Sequence, residues 1–144
     1  MKISTKGRYG TRALLEVALS QDEGLVQLKY IAERQQISLY YLERIIAPLV
    51  REGFLVSTRG PSGGVALGRR PEDIKVREVI ELLEGSIAPV ECVDDPSVCP
   101  RADSCATCDL WGEVKEAMEE VLDGVTLQDL VERQKKKLRD IAAK

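Results

Sequence analysis

The chain has 144 residues, 44% of them apolar and 31% charged, which fits one globular domain, or one with an appended arm, and excludes a disordered chain. Its net charge of −3 hides a division: residues 1–70 carry 11 Lys+Arg against 6 Asp+Glu, residues 71–144 carry 10 against 18. A basic first half and an acidic second half point to a nucleic-acid-binding module joined to a regulatory part. There is no histidine, so the usual general base and the commonest metal ligand are missing, and no catalytic constellation is visible. The start, Met1-Lys2-Ile3-Ser4-Thr5-Lys6-Gly7-Arg8, is polar with no apolar signal region behind it. No run nears the roughly 18 apolar residues of a membrane span. A non-enzymatic cytoplasmic protein without membrane contact is expected.

In chain order, Tyr9, Ala13, Leu14, Val17 and Ala18 outline a first amphipathic helix, with Ser4 or Thr5 as N-cap and Gly24 beyond its end. Leu28, Ile31 and Ala32 mark a short second helix. Ser38 caps a third with the apolar face Leu42, Ile45, Ile46, Leu49 and Val50, ending at Gly53. Pro48 cannot donate to the Arg44 carbonyl, so a kink or early stop is expected there. Phe54–Arg59 and Val65–Leu67 read as strands of a hairpin turned by Gly60-Pro61-Ser62-Gly63-Gly64. Pro71 opens a helix with Val76, Val79, Ile80 and Leu83 on one face, closed by Gly85. Residues 86–106 have no periodicity and read as a loop. From about Thr107 a longer helix carries Leu110, Val114, Ala117, Met118, Val121 and Leu122 and stops near Gly124. A last helix is capped by Thr126 with Asp129 three residues on, and continues to the basic run Lys135-Lys136-Lys137.

A short helix, a tight turn and a second helix capped by Ser38 form the helix-turn-helix layout, and the hairpin supplies a wing. The fold expected is mainly α with a small β-hairpin: a winged helix-turn-helix over 1–70, then a helical dimerisation region over 71–144 containing a cysteine loop at 86–108. Tyr40, Glu43 and Arg44 sit opposite the apolar face of the third helix. Arg44 suits guanine acceptors, Glu43 can accept from cytosine, and Tyr40 can donate or stack. Lys2, Lys6, Arg8, Arg12 and Lys29 would neutralise phosphates of double-stranded operator DNA. Arg59 precedes a glycine-rich tip whose lack of bulk lets the backbone approach DNA, and it can enter a narrow minor groove. The candidate DNA-binding set is Lys2, Lys6, Arg8, Lys29, Ser38, Tyr40, Tyr41, Glu43, Arg44, Arg59, Gly60, Ser62 and Gly63.

All four cysteines lie at 92, 99, 105 and 108, the last two at the start of a helix whose positive end favours thiolate. Clustered thiols in a reducing compartment bind metal or do redox chemistry more often than they form structural disulfides. A soft-metal centre on Cys92, Cys99, Cys105 and Cys108 is favoured. A zinc site is weaker because only Cys105/Cys108 is short-spaced, and a thiol–disulfide switch also stays open. A catalytic Cys105-x-x-Cys108 lacks the βαβ surroundings such chemistry uses.

Lys6-Gly7-Arg8-Tyr9, Ile37-Ser38 with Tyr41-Leu42-Glu43, Gly53 before an apolar pair, and Arg59-Gly60-Pro61 with Gly63-Gly64 resemble the IscR family of iron–sulfur cluster regulators and their relatives. Val79-Ile80, Cys92 and Thr126-Leu127 extend the resemblance over nearly the whole chain. It implies a homodimeric winged helix-turn-helix regulator, usually a repressor, controlling iron–sulfur cluster biogenesis or related stress genes. It also implies that Tyr40, Glu43 and Arg44 read the major groove and Arg59 the minor groove. The family carries three cysteines and a histidine, and Cys108 stands at the histidine's place. A 2Fe–2S cluster with all-thiolate ligation is therefore implied. A 4Fe–4S cluster on the four cysteines or a zinc ion are the alternatives, although Arg8 stands where one four-iron branch has a carboxylate. The chain also resembles cluster-free repressors of sulfur and cysteine metabolism that a partner protein controls, and a zinc-stabilised interaction module is a further alternative. Gln36 occupies a turn position where relatives often have glycine.

The stripe Leu110, Val114, Ala117, Met118 and Val121 has no obvious partner within one chain and would pair with its twin in a two-fold dimer. Trp111 would lie over the cysteine loop or in that interface. Ordering of residues 90–108 around a cluster would then shift the two reading helices relative to each other.

Overall fold

In the computed structural model, which describes residues 2–144, the chain is helical apart from one two-stranded hairpin. Helix α1 (Thr5–Leu19) starts where the Ser4 side chain accepts from the Gly7 backbone N–H. Helix α2 (Leu28–Gln35) ends at Gln36, and α3 (Leu39–Arg51) begins where Ser38 accepts from the Tyr41 N–H. Gln36 has φ +55° and ψ +46°, a left-handed conformation. Pro48 does not stop α3, which corrects the early end that was one of the two expectations there; the helix runs on to Arg51. Burial of Ile45, Ile46 and Leu49 on either side of Pro48 outweighs one missing hydrogen bond.

Strands β1 (Leu55–Thr58) and β2 (Gly64–Leu67) pair antiparallel with Leu55 opposite Leu67 and Thr58 opposite Gly64. A third edge is absent from the sequence reading: Val26 and Val65 exchange both backbone hydrogen bonds at 2.8 Å, which fastens the hairpin to the segment before α2. Pro71 opens a single 3₁₀ turn (Pro71–Asp73), not the helix expected of it. Helix α4 (Val76–Glu84) starts later because Ile74 and Lys75 stay extended: Ile74 is fully buried, and the Leu127 N–H donates to its carbonyl at 2.8 Å. Residues 86–106 are not wholly loop. They hold the one-turn helix α5 (Glu91–Asp94) and 3₁₀ turns at Pro96–Val98 and Ala102–Ser104, none with a buried residue. Helix α6 (Ala106–Asp123) follows, then α7 (Leu127–Ala142), which opens with the expected Thr126/Asp129 capping box and extends past the lysine run.

One core joins these elements. Ala13, Leu14, Val17 and Ala18 of α1 meet Ile31 of α2, Leu42, Ile45 and Leu49 of α3, and Val65 of the hairpin. The same core takes in Ile74, Val79 and Leu83 with Leu127 and Val131, so it runs across residue 70 and uses α4 and α7. Gly10 lets α1 and α4 close up, since a Cβ there would overlap Leu83. Buried Glu16 accepts from Arg34 Nε and Gln35 Nε2, both at 2.7 Å, and ties α1 to α2. Helix α6 stands outside the core, with no fully buried residue.

Candidate DNA-reading surface and cysteine site

Helix α3 presents its first two turns to solvent: Leu39, Tyr40, Glu43 and Arg44 are exposed, Tyr40 at 71%. The Arg44 guanidinium lies 5.9 Å from the Tyr40 ring centroid, an i,i+4 pair that holds both side chains over one patch. Tyr41 turns the other way, half-buried, with its ring edge-on to Tyr9 at 6.1 Å. Between α3 and the wing runs a groove of about 890 Å³ lined by Glu43, Ala47, Thr58, Arg59 and Gly60. Glu43 makes no ion pair with any described residue, so its carboxylate is left to meet whatever enters that groove.

Arg59, Gly60 and Ser62 are exposed at the wing tip, and Gly60 has φ +108°. Gly63 is buried, and a Cβ there would overlap the Thr58 carbonyl, so it closes the turn behind the tip. The Gln27 side chain also donates to the Pro61 carbonyl at 3.4 Å, a wing support that no motif in the sequence signalled. Lys2, Lys6, Arg8, Lys29 and Ser38 are exposed. Arg12, expected on phosphates, is engaged within the protein: it donates to the Gln35 side chain at 2.8 Å and the Gln35 carbonyl at 2.9 Å, capping the end of α2.

In the cysteine segment the sulfurs of Cys92 and Cys108 lie 3.2 Å apart, and the Cys108 thiol also points to the Cys92 carbonyl. Cys105 occupies the N-cap position of α6, three residues before Cys108. The contact with Cys92, burial and the nearby thiol of Cys105 push the Cys108 thiol up to about 11. Cys105 shifts the other way: the Thr107 hydroxyl, 3.0 Å from its sulfur, and the Cys108 backbone N–H hold it below the usual thiol range. All four cysteines are free and half-buried. Among the described residues no three Cys, Asp or Glu side chains gather closely enough to hold one metal ion, so neither Cys99 nor Cys105 completes a trio with the Cys92–Cys108 pair.

Of the residues expected on a dimer face, Leu110, Ala117 and Val121 are exposed and Val114 and Met118 half-buried. Val114, Ala117, Met118, Val121 and Leu122 form an apolar groove of about 480 Å³ with Ile3 and Ile87. Trp111 is half-buried. No helix among the described residues is long and apolar enough to cross a membrane.

The family model described as the Rrf2 iron-dependent transcriptional regulators matches residues 3–133. The chain belongs to the Rrf2 family. Protein rrf2 of Nitratidesulfovibrio vulgaris is 45% identical over 131 residues, covering 91% of this chain and 87% of that protein. The solved structure of CymR, the global cysteine regulator of B. subtilis, superposes with a TM-score of 0.77 at 41% identity, covering 92% of this chain and 98% of that one. The T. potens IscR structure gives 0.76 at 42% identity, covering 93% and 88%. The chain is thus a winged-helix transcriptional regulator of the IscR/Rrf2 type and not an enzyme, and DNA binding is the activity of its class.

Proposed function

We propose that the chain acts in the cytoplasm as a homodimer on double-stranded operator DNA, its affinity set by an iron–sulfur centre on Cys92, Cys99, Cys105 and Cys108. The observation that carries the proposal is the 3.2 Å approach of the Cys92 and Cys108 sulfurs, with Cys105 at the start of the same helix. Two thiolates at tetrahedral positions on one soft metal stand about 3.8 Å apart, given metal–sulfur bonds of about 2.3 Å. The pair needs to open only slightly to hold such a metal, and Cys99 and Cys105 would have to close on it to complete the four-thiolate set. Binding of a metal to cysteine displaces the thiol proton, so loading is favoured at higher pH. The similarity to IscR favours a 2Fe–2S cluster over a 4Fe–4S cluster or zinc, and it would supply a reversible, oxygen- and redox-sensitive charge at this site.

On the DNA-reading surface Tyr40, Glu43 and Arg44 of α3 enter the major groove, Arg59 the minor groove, and Lys2, Lys6, Arg8 and Lys29 flank them on phosphates. Residues 1–70 do the reading and residues 71–144 the pairing and sensing. The apolar face of α6, from Leu110 to Val121, seats the second copy. A colour and absorbance in the visible range, with iron and acid-labile sulfide near two per chain after oxygen-free purification, together with a Cys92→Ala variant that loses both and changes operator affinity, is the expected result. A colourless protein whose operator affinity ignores Cys92→Ala contradicts it.

The similarity to CymR over 98% of that chain favours a second reading, a cluster-free regulator of cysteine metabolism governed by a partner protein. Iron-free material that shifts operator DNA only when a partner is added would favour that reading.

A further inference from the structure

We infer that Lys115 is a positioning residue that latches the cysteine loop to α6, so that the state of the sulfur site sets the tilt of that helix against the DNA-reading body. The inference rests on the reading above. Its observation is a continuous chain of ion pairs across three elements. Lys115 Nζ on α6 lies 2.7 Å from Asp94 Oδ1 at the end of α5 and 3.5 Å from Glu119 Oε1 one turn along. Glu119 Oε2 lies 3.3 Å from Arg77 Nη2 on α4, and Arg77 Nε is 2.7 Å from Glu81 Oε1. Ser86, just after α4, donates to the other oxygen of Asp94.

Ion pairs that solvent still reaches contribute little to stability, so a row of them between elements calls for another reason. Helix α5 is one turn long and has no fully buried residue, so apolar burial alone holds it weakly. It meets α6 at two points: Cys92 on Cys108, and Asp94 on Lys115 seven residues further along. Two attachments two helical turns apart fix its direction as well as its place. The Lys115 side chain keeps only 27% of its exposure, which limits its freedom to swing away.

Helix α6 is held differently at its two ends. Its C-terminal end is pinned to the body by backbone: the Val76 N–H donates to the Val125 carbonyl at 2.9 Å and the Leu127 N–H to the Ile74 carbonyl at 2.8 Å. Its N-terminal end, about 27 Å away at 1.5 Å per residue, carries Cys105 and Cys108 and is not pinned in this way. A rod fixed at one end and steered at the other turns a small shift of the sulfurs into a change of tilt. Its apolar face then carries that tilt to a second copy. Because α4 packs on α1, the same pairs reach the helix that bears Lys6 and Arg8.

Lys115→Met keeps the bulk of the side chain and removes its charge. In the metal-free protein the Val93 and Asp95 amides, which now bond within α5, should exchange with solvent at least about tenfold faster. In the iron-loaded protein, iron and sulfide per chain should match the wild type, while the ratio of loaded to unloaded operator affinity falls at least about tenfold. The double variant Asp94→Lys with Lys115→Asp should restore both. Unchanged exchange, or a switching ratio kept in full by Lys115→Met, overturns the latch and leaves the proposed function standing. A variant that fails to load iron also overturns it, since Lys115 would then support the metal site and not the coupling. A wild type that takes up no iron removes the proposed function and the coupling together.

Discussion

Helices α1 and α6 are similar in length, 15 and 18 residues, and both carry an apolar stripe, yet α1 buries seven residues and α6 none. The difference lies in their neighbours. Helix α1 is surrounded by α2, α3, α4 and α7, whereas α6 has contact with α4 on one side and the cysteine loop on the other. The reading body therefore carries its own core. The arm built on α6 leaves its apolar face without a partner among the described residues. A helix whose stability comes from tertiary burial is expected to be the mobile one when that burial is missing.

Mutations can break or sharpen that contrast. The largest loss is expected from Ile45→Ala, which empties a fully buried site between α1 and α3 and should cost about 2–5 kcal/mol of unfolding free energy, read from denaturant midpoints. Glu16→Ala comes next. It leaves the Arg34 and Gln35 side chains without their acceptor, and because Arg34 is half exposed the loss should be about 1–3 kcal/mol in the same experiment. In the arm, Val121→Asp should cost under about 0.5 kcal/mol in a monomer, since Val121 is 67% exposed, but should raise the dimer dissociation constant at least about tenfold in sedimentation. Equal unfolding losses from Ile45→Ala and Val121→Asp would erase the distinction between body and arm. The smallest effect has the opposite sign: Gln36→Gly relieves a left-handed glutamine and should raise stability by up to about 1 kcal/mol.

Those residues also show how far the sequence alone carries. The helix starts at Ser4, Ser38 and Thr126 were legible because an N-cap is a local hydrogen bond between residues three apart. The left-handed Gln36 was signalled only by the resemblance, whose members often have glycine there. The early stop expected at Pro48 does not occur, because its cost is local while the burial of Ile45, Ile46 and Leu49 that outweighs it is tertiary. Pro71 misled because the Ile74 carbonyl is taken by Leu127, which no window around Pro71 contains. At the candidate sites the residue types stood out, the four cysteines and the Arg59-Gly60-Pro61 wing above all. Their partners did not: Arg12 on Gln35, Gln27 on Pro61 and Lys115 on Asp94 join residues 21 to 34 positions apart with no recurring spacing.

Operator affinity measured on one anaerobic preparation before and after its iron is removed, with Cys92→Ala alongside, tests the central claim most directly. The expected outcome is a change of at least about tenfold on iron removal, with Cys92→Ala fixed at the iron-free value throughout. The same affinity in all three samples, for every operator tried, would contradict a DNA reader governed from its cysteine loop.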